Sequence, residues 1–472
     1  MKTIHAALAL ILLAPLAPQS APAPSAQKGA RAAQGSLERA GDGKPVCGLG
    51  KAFHAGRRAA LRKQLGSGLV IARGLPDTRD YVRFHQDKVF WYLTGVESPG
   101  ATLVMDVATQ REILFLPEKE SGREQWEGEM WDSGDLWVGE LTGFGEILPS
   151  SKLLDVLREL TGGQKKVWLP MAPHIALSGC IDRARPYDRA VERDPLDGRA
   201  SREKAMRDKL VELFEVEVAD LSPALSELRR VKTPEEVAAM RRAGRAGALA
   251  MAEAMRSTRP GLGEWELDAL MSFVQVREGA VGPAYHAIVG SGANSLVLHY
   301  SASNRTMQDG EVVLIDYAPE LDHYTSDITR TWPVNGKFSA RQAELYDAVL
   351  AAQKAGIAAV KPGATFRDVS AACSAELTKR GFGGLQRHGP THYIGLEVHD
   401  VGRGKTFEPG ESFTVEPGVY EEETGIGIRI EDVVVVTEDG CEVLTADVPK
   451  ERDEIERLIR SEGLLDWMAK RK

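Results

Sequence analysis

Cysteine is scarce: Cys47, Cys180, Cys373 and Cys441 are the four in a chain of 472 residues. Their wide spacing is unlike a zinc knuckle, and a chain this long buries a core without a dense disulfide framework. Three disulfide pairings and buried free thiols all stay open. A basic excess is also missing. Lys and Arg number 59 against 68 Asp and Glu, a net charge of -9, and no long Lys/Arg block occurs, which argues against a nucleic-acid binder. The apolar run from Ile4 to Leu16 is too short to cross a bilayer, so no stable membrane span is expected. What is present, 43% hydrophobic and 27% charged residues, suits a soluble globular protein of two or three domains.

Lys2, the apolar run and the small residues Ala21-Pro22-Ala23 and Ser25-Ala26 follow the order of an export signal. Pro15 and Pro18 argue against a buried helix there. The reading is a signal peptide over residues 1–26, a flexible leader over 27–46 rich in Ala, Pro, Gly and Ser, and an exported product, periplasmic or secreted.

Residues 47–228 read as an N-terminal α/β domain. Short apolar runs, 69–72, 102–105, 113–116 and 166–169, alternate with helical stretches. The aromatic run Phe90-Trp91-Tyr92-Leu93 reads as a further buried strand. Residues 229–465 read as a second unit with an internal repeat. Thr233-Pro234-Glu235-Glu236 caps a long helix that ends at Pro260-Gly261, and a second helix follows to about residue 278. Strands are expected at 287–289, 297–299, 312–316 and 328–332. Ser339-x-x-Gln342 then caps a helix ending at Pro362-Gly363, Thr365-x-x-Asp368 opens another, and strands follow at 413–416 and 428–431. Pro260 to Pro362 is 102 positions, Asp316 to Glu416 is 100 and Asp327 to Glu431 is 104. A repeat of about 100 residues accounts for all three offsets. The fold class is α/β (α+β).

Each half carries two acids on what reads as an antiparallel hairpin. Asp316 and Asp327 flank a loop centred near Leu321-Asp322, and Glu416 and Glu431 flank one near Glu423-Thr424. Directly opposed like charges destabilise a sheet. At roughly 4 Å and an effective dielectric of about 20, each pair costs about 4 kcal/mol. Two solvated hairpin faces are the bland alternative, but the acids interrupt the apolar runs 312–315 and 426–430. A divalent cation is the sharper reading, since oxygen donors favour hard ions and an added imidazole shifts the choice toward Mn²⁺, Co²⁺ or Zn²⁺. His388, His392 and His399 lie within twelve positions and close to the acids.

The stretches Leu314-Ile315-Asp316, Ser326-Asp327-Ile328-Thr329-Arg330-Thr331, Thr391 to Gly402, Thr414-Val415-Glu416-Pro417-Gly418 and Gly427 to Asp432 resemble the Xaa-Pro aminopeptidases (aminopeptidase P) of the pita-bread metallopeptidases. Tyr92-Leu93-Thr94-Gly95, Glu124 to Gly128 and the closing Leu444-Thr445 with Val448-Pro449-Lys450 extend the likeness to nearly the whole chain after Cys47. The resemblance implies an N-terminal domain over 47–228 and a pita-bread catalytic domain with a pseudo-twofold repeat over 229–465. It implies a dinuclear site on Asp316, Asp327, His392, Glu416 and Glu431, with two divalent ions, Mn²⁺ first and Zn²⁺ or Co²⁺ as alternatives. Asp327 and Glu431 would bridge the ions, and Glu416 would also be the general base. His299 and His399 would steady the tetrahedral intermediate and the proline side, His388 would line the pocket, and Arg429 would orient the bridging carboxylates. Asp316-Tyr317-Ala318 and Gly389-Pro390-Thr391-His392 depart from the family pattern without removing a ligand. The implied activity releases the first residue of peptides with proline second. Prolidase shares the ligands, and a ligand-poor binding module is the non-enzymatic alternative. Peptide substrates and a homo-oligomer, dimer or tetramer, are the implied partners.

Overall fold

Leu69–Arg73 (β1) is apolar and buried on both faces over its first four residues, which places it inside a sheet rather than at an edge. Around it run Thr102–Asp106 (β2), Glu112–Leu116 (β3), Ile147–Pro149 (β4), Lys166–Leu169 (β5) and Glu217–Asp220 (β6), in the order β4-β3-β2-β1-β5-β6. β1 pairs antiparallel with β2 and parallel with β5, so this N-terminal domain has a mixed sheet. These facts come from a computed structural model that describes residues 46–471 except Glu129, Gln164 and Lys405. The expected signal peptide, and the leader up to residue 45, lie outside the described residues.

The expected strand at Phe90–Leu93 is instead part of helix Lys88–Thr94. Asp87 accepts a hydrogen bond from the Phe90 amide, and Gly95 closes the last turn in the left-handed conformation. Packing all around the helix made an uninterrupted aromatic run compatible with it. All four aromatic and aliphatic residues of the run are buried.

In the C-terminal domain the repeat takes solid form. Helices Pro234–Ser257 and Glu264–Arg277 pack together, as do Ala340–Ala358 and Phe366–Lys379. The capping boxes at Thr233, Ser339 and Thr365 form as the sequence predicts. Gly282–Pro283 (β7), Ile288–Ser291 (β8), Val312–Asp316 (β9), Pro319–Leu321 (β10), Tyr324–Thr325 (β11) and Thr329–Pro333 (β12) belong to the first half. Ser412–Val415 (β13), Gly418–Glu421 (β14), Ile426–Arg429 (β15), Asp432–Val436 (β16) and Cys441–Val443 (β17) belong to the second. The pairs β9-β12 and β13-β16 correspond, with the third strand added on β9 in the first half and on β16 in the second, and one buried cluster drawn from both helix pairs and both sheets joins the halves.

The halves are not identical in register. In the second, Val415 pairs with Asp432 and Gly418 with Arg429, so Glu416 falls opposite Glu431 as expected. In the first, Asp316 pairs with Thr329, and Asp327 sits two residues before that partner. The turn is centred on Asp322-His323, both with positive φ, one residue beyond the expected centre. Val297–His299 is not a strand either; it follows a short 3₁₀ turn, Gly292–Leu296. The four cysteines are free.

Candidate metal centre

Interruption of the two hairpins positions the acids. Asp316 ends β9, Asp327 precedes β12, Glu416 follows β13, and Glu431 stands between β15 and β16. The halves are fastened here, since the Glu431 amide donates to Thr329 O at 3.0 Å. His392 lies on a segment running beside β13. Its amide donates to Thr414 Oγ1 at 3.2 Å, and the Glu416 amide donates to Pro390 O at 2.9 Å. His392 Nε2 therefore stands 3.3 Å from Glu416 Oε1, 3.5 Å from Asp327 Oδ2 and 3.9 Å from Glu431 Oε1.

The acids are poorly compensated. Glu431 is 1% exposed; Thr329 donates to its Oε2 at 2.7 Å, while its buried Oε1 has no hydrogen-bond partner. Its carboxyl is held well above the usual range by burial, then by Asp327, Glu416 and Asp316. Asp327 is likewise pushed far up, by burial and then by Asp316. Glu416 is raised by burial, against the pull of His388 and Arg429. Burial would raise Asp316 too, but Arg429, with Nη2 2.7 Å from Oδ2, brings it below its ordinary value. His392 is lowered to about 3, chiefly by burial and then by His399. One imidazole nitrogen thus faces three carboxylates, one with an orphaned oxygen. Ligand atoms of Asp327, His392 and Glu431 all lie within 4.8 Å of one another. This oxygen-rich donor set fits a divalent cation.

Profiles of two families match the chain: Metallopeptidase family M24 over residues 238–438 and the aminopeptidase P N-terminal domain over 54–168. An Xaa-Pro aminopeptidase of Escherichia coli (strain K12) is 34% identical over 446 residues, covering 85% of this chain and 96% of the relative. The chain belongs to the aminopeptidase P family of M24 metallopeptidases. A Pseudomonas aeruginosa aminopeptidase structure superposes with a TM-score of 0.73 at 31% identity, over 89% of this chain and 99% of that one. A zinc-substituted aminopeptidase P from E. coli, in complex with product, gives 0.73 at 31%, over 87% and 98%. Divalent metal binding belongs to this family.

The cavity at these residues measures about 470 Å³ and is lined by all nine residues singled out from the sequence: Asp316, Asp327, His392, Glu416, Glu431, His299, His388, His399 and Arg429. Arg429 does not hydrogen-bond the two expected bridging acids directly. It binds Asp316, and its Nε donates at 3.1 Å to Thr329 Oγ1, which in turn donates to Glu431. His388 Nε2 lies 2.8 Å from the Tyr420 hydroxyl, which accepts from Arg429 Nη1 at 2.9 Å. Burial lowers both His388 and His299.

Sequence reasoning missed Tyr285 and Asp182. The Tyr285 hydroxyl is 2.6 Å from both Asp316 Oδ1 and Asp327 Oδ1. One hydroxyl proton serves one acceptor at a time, so Tyr285 leaves the acidic pair short of compensation. No motif surrounds it; the pairing of β7 with β10 brings it in. Asp182 comes from the N-terminal domain and has no local signature at all.

Proposed function

We propose that this chain is a metal-dependent exopeptidase that removes the first residue from peptides with proline at the second position. The observation that carries it is the convergence of four carboxylates and His392 on one cavity, with Glu431 Oε1 buried and unpartnered. Asp316, Asp327, His392, Glu416 and Glu431 would hold two divalent ions, Mn²⁺ first and Zn²⁺ or Co²⁺ as alternatives. Such ions supply Lewis acidity toward the scissile carbonyl and make water nucleophilic near neutral pH.

The rest falls to the chain. Glu416, with its raised pKa, is placed to accept the proton of the attacking water and pass it to the leaving nitrogen. That nitrogen belongs to proline and carries no N–H, so it must gain a proton to leave. His399 and His299 flank the cavity where the oxyanion develops, and Arg429 fixes Asp316 and, through Thr329, Glu431. All five ligand positions are intact, which speaks against a binding module.

The test is kcat/KM of the Mn²⁺-loaded protein on matched Xaa-Pro dipeptides and Xaa-Pro-Yaa tripeptides. The tripeptide should be strongly preferred. Preference for the dipeptide would make the protein a prolidase, and inactivity on both with metal bound would make it a binding module. Export is part of the proposal and rests on the pattern from Lys2 to Ala26; a mature chain beginning after residue 20 is its check.

A further inference from the structure

The wall of the catalytic cavity includes one acid from the other domain. Asp182 lies in the first turn of helix Ile181–Arg193, 217 positions before His399, yet its Oδ2 is 2.8 Å from His399 Nδ1. We infer that Asp182 is a positioning residue for His399, supplied by the N-terminal domain to the chemistry of the C-terminal one. The inference rests on the exopeptidase reading above.

An imidazole has two distinct nitrogens, and the partner of one decides how the ring stands and what the other can reach. With Nδ1 engaged by Asp182, Nε2 is the nitrogen left to the cavity that His399 lines. The His399 ring is 4.1 Å from the His392 ring, centroid to centroid, so a swing of this side chain changes the space beside the candidate metal ligands.

The start of the helix that carries this acid is itself held in place. The Ile181 amide, adjacent to Asp182, donates to Glu397 Oε2 at 2.7 Å. The start of a 13-residue helix also favours an anion. Glu397 and Asp400 bracket His399 in the chain, and both accept from Arg229, which leads out of helix Ser222–Arg230. Lys88, from helix Lys88–Thr94, donates to Leu396 O and pairs with Glu320 at 2.7 Å. Arg229, Glu397, Asp400 and Lys88 have side chains no more than 5% exposed. The loop carrying His399 is thus gripped by buried groups from the N-terminal domain and the helix that follows it.

The Asp182–His399 contact differs from those supports. Its side chains are 62% and 34% exposed, so it adds little to folding stability and can be removed without unfolding the grip. Its consequence should be in turnover.

The experiment compares Asp182→Ala, Asp182→Glu, His399→Ala and the double variant on an Xaa-Pro-Yaa tripeptide, with metal content measured for each. Asp182→Ala should lower kcat about 10-fold or more, with KM and metal content unchanged and part of the loss restored by Asp182→Glu. In the His399→Ala background, Asp182→Ala should cost nothing further. Unchanged kcat in the single variant, losses that multiply in the double, or metal lost with Asp182 would overturn the assignment. A wild-type protein inert toward every Xaa-Pro peptide would instead overturn the exopeptidase reading and this role with it.

Discussion

Glu431 and Asp432 are neighbours in the chain, both exposed by 1% or less, and they meet opposite fates. Asp432 receives four donors: Arg330 Nη2 at 2.8 Å, Thr445 Oγ1 at 2.8 Å, Gln353 Nε2 at 2.7 Å and Lys450 Nζ at 2.7 Å. Burial would raise its carboxyl, but Arg330 and Lys450 win and hold it below the ordinary value. Glu431 receives one side-chain donor, Thr329, faces three other acids and is pushed far up. Alternation in extended backbone sends the two side chains to opposite faces, one toward cations the chain supplies, the other toward three further acids. A buried acid with a full complement of protein donors is structural. One left short among other acids is a candidate ligand for an ion.

The widest separation of the two is expected from their removal. Glu431→Ala, like Asp327→Ala, should abolish bound metal and lower activity by at least about 100-fold, while chemical unfolding of the metal-free proteins shows no loss of stability. Near-native turnover with metal retained would end the contrast. Asp432→Ala should do the reverse in stability: Arg330 and Lys450 are stranded, and urea unfolding should report a loss of about 3–5 kcal/mol. A loss below about 1 kcal/mol would mean that the network is not a structural ion cluster.

A smaller effect sharpens the same contrast with histidines. His54 is buried, and its pKa, like that of the half-buried His392, is lowered mainly by burial, in this case to about 4. But both of its nitrogens are committed to backbone: Nδ1 lies 3.0 Å from Tyr92 O, and Nε2 accepts from the Leu49 amide at 3.2 Å. A proton on Nε2 would meet an N–H. The folded pKa lies below the unfolded value near 6.5, so the unfolded chain takes a proton that the fold refuses. Stability from this group is therefore undiminished above about pH 6.5 and drains away as pH falls toward about 4. Between pH 7 and pH 5 the loss should be about 2 kcal/mol, and a His54→Gln variant should lack that part of the slope.

How far the sequence reached can be judged from particular residues. The capping boxes at Thr233, Ser339 and Thr365 were legible because a cap is a contact between residues three apart. The repeat was legible because its Pro-Gly breaks and acids recur at a fixed offset. The second hairpin register followed from symmetry about its loop, whereas the first slipped because Asp322 and His323 adopt positive φ. These two residues are fastened from outside, Asp322 to Arg242 at 2.5 Å and His323 to Glu97 while stacked on Trp91. Phe90–Leu93 was misread because a run buried on every side has no period to distinguish helix from strand.

By itself, then, the sequence determined the candidate metal-ligating residue types, their order and the doubled architecture, since each is written in residue types and in spacings that recur after about 100 positions. Tertiary structure alone decided that Tyr285 spans Asp316 and Asp327, that Glu431 has one side-chain donor while Asp432 has four, and that Asp182 reaches His399. Those outcomes depend on which backbone segments approach within hydrogen-bond distance after packing. That approach is set by the burial of apolar faces hundreds of residues apart, and no local pattern encodes it.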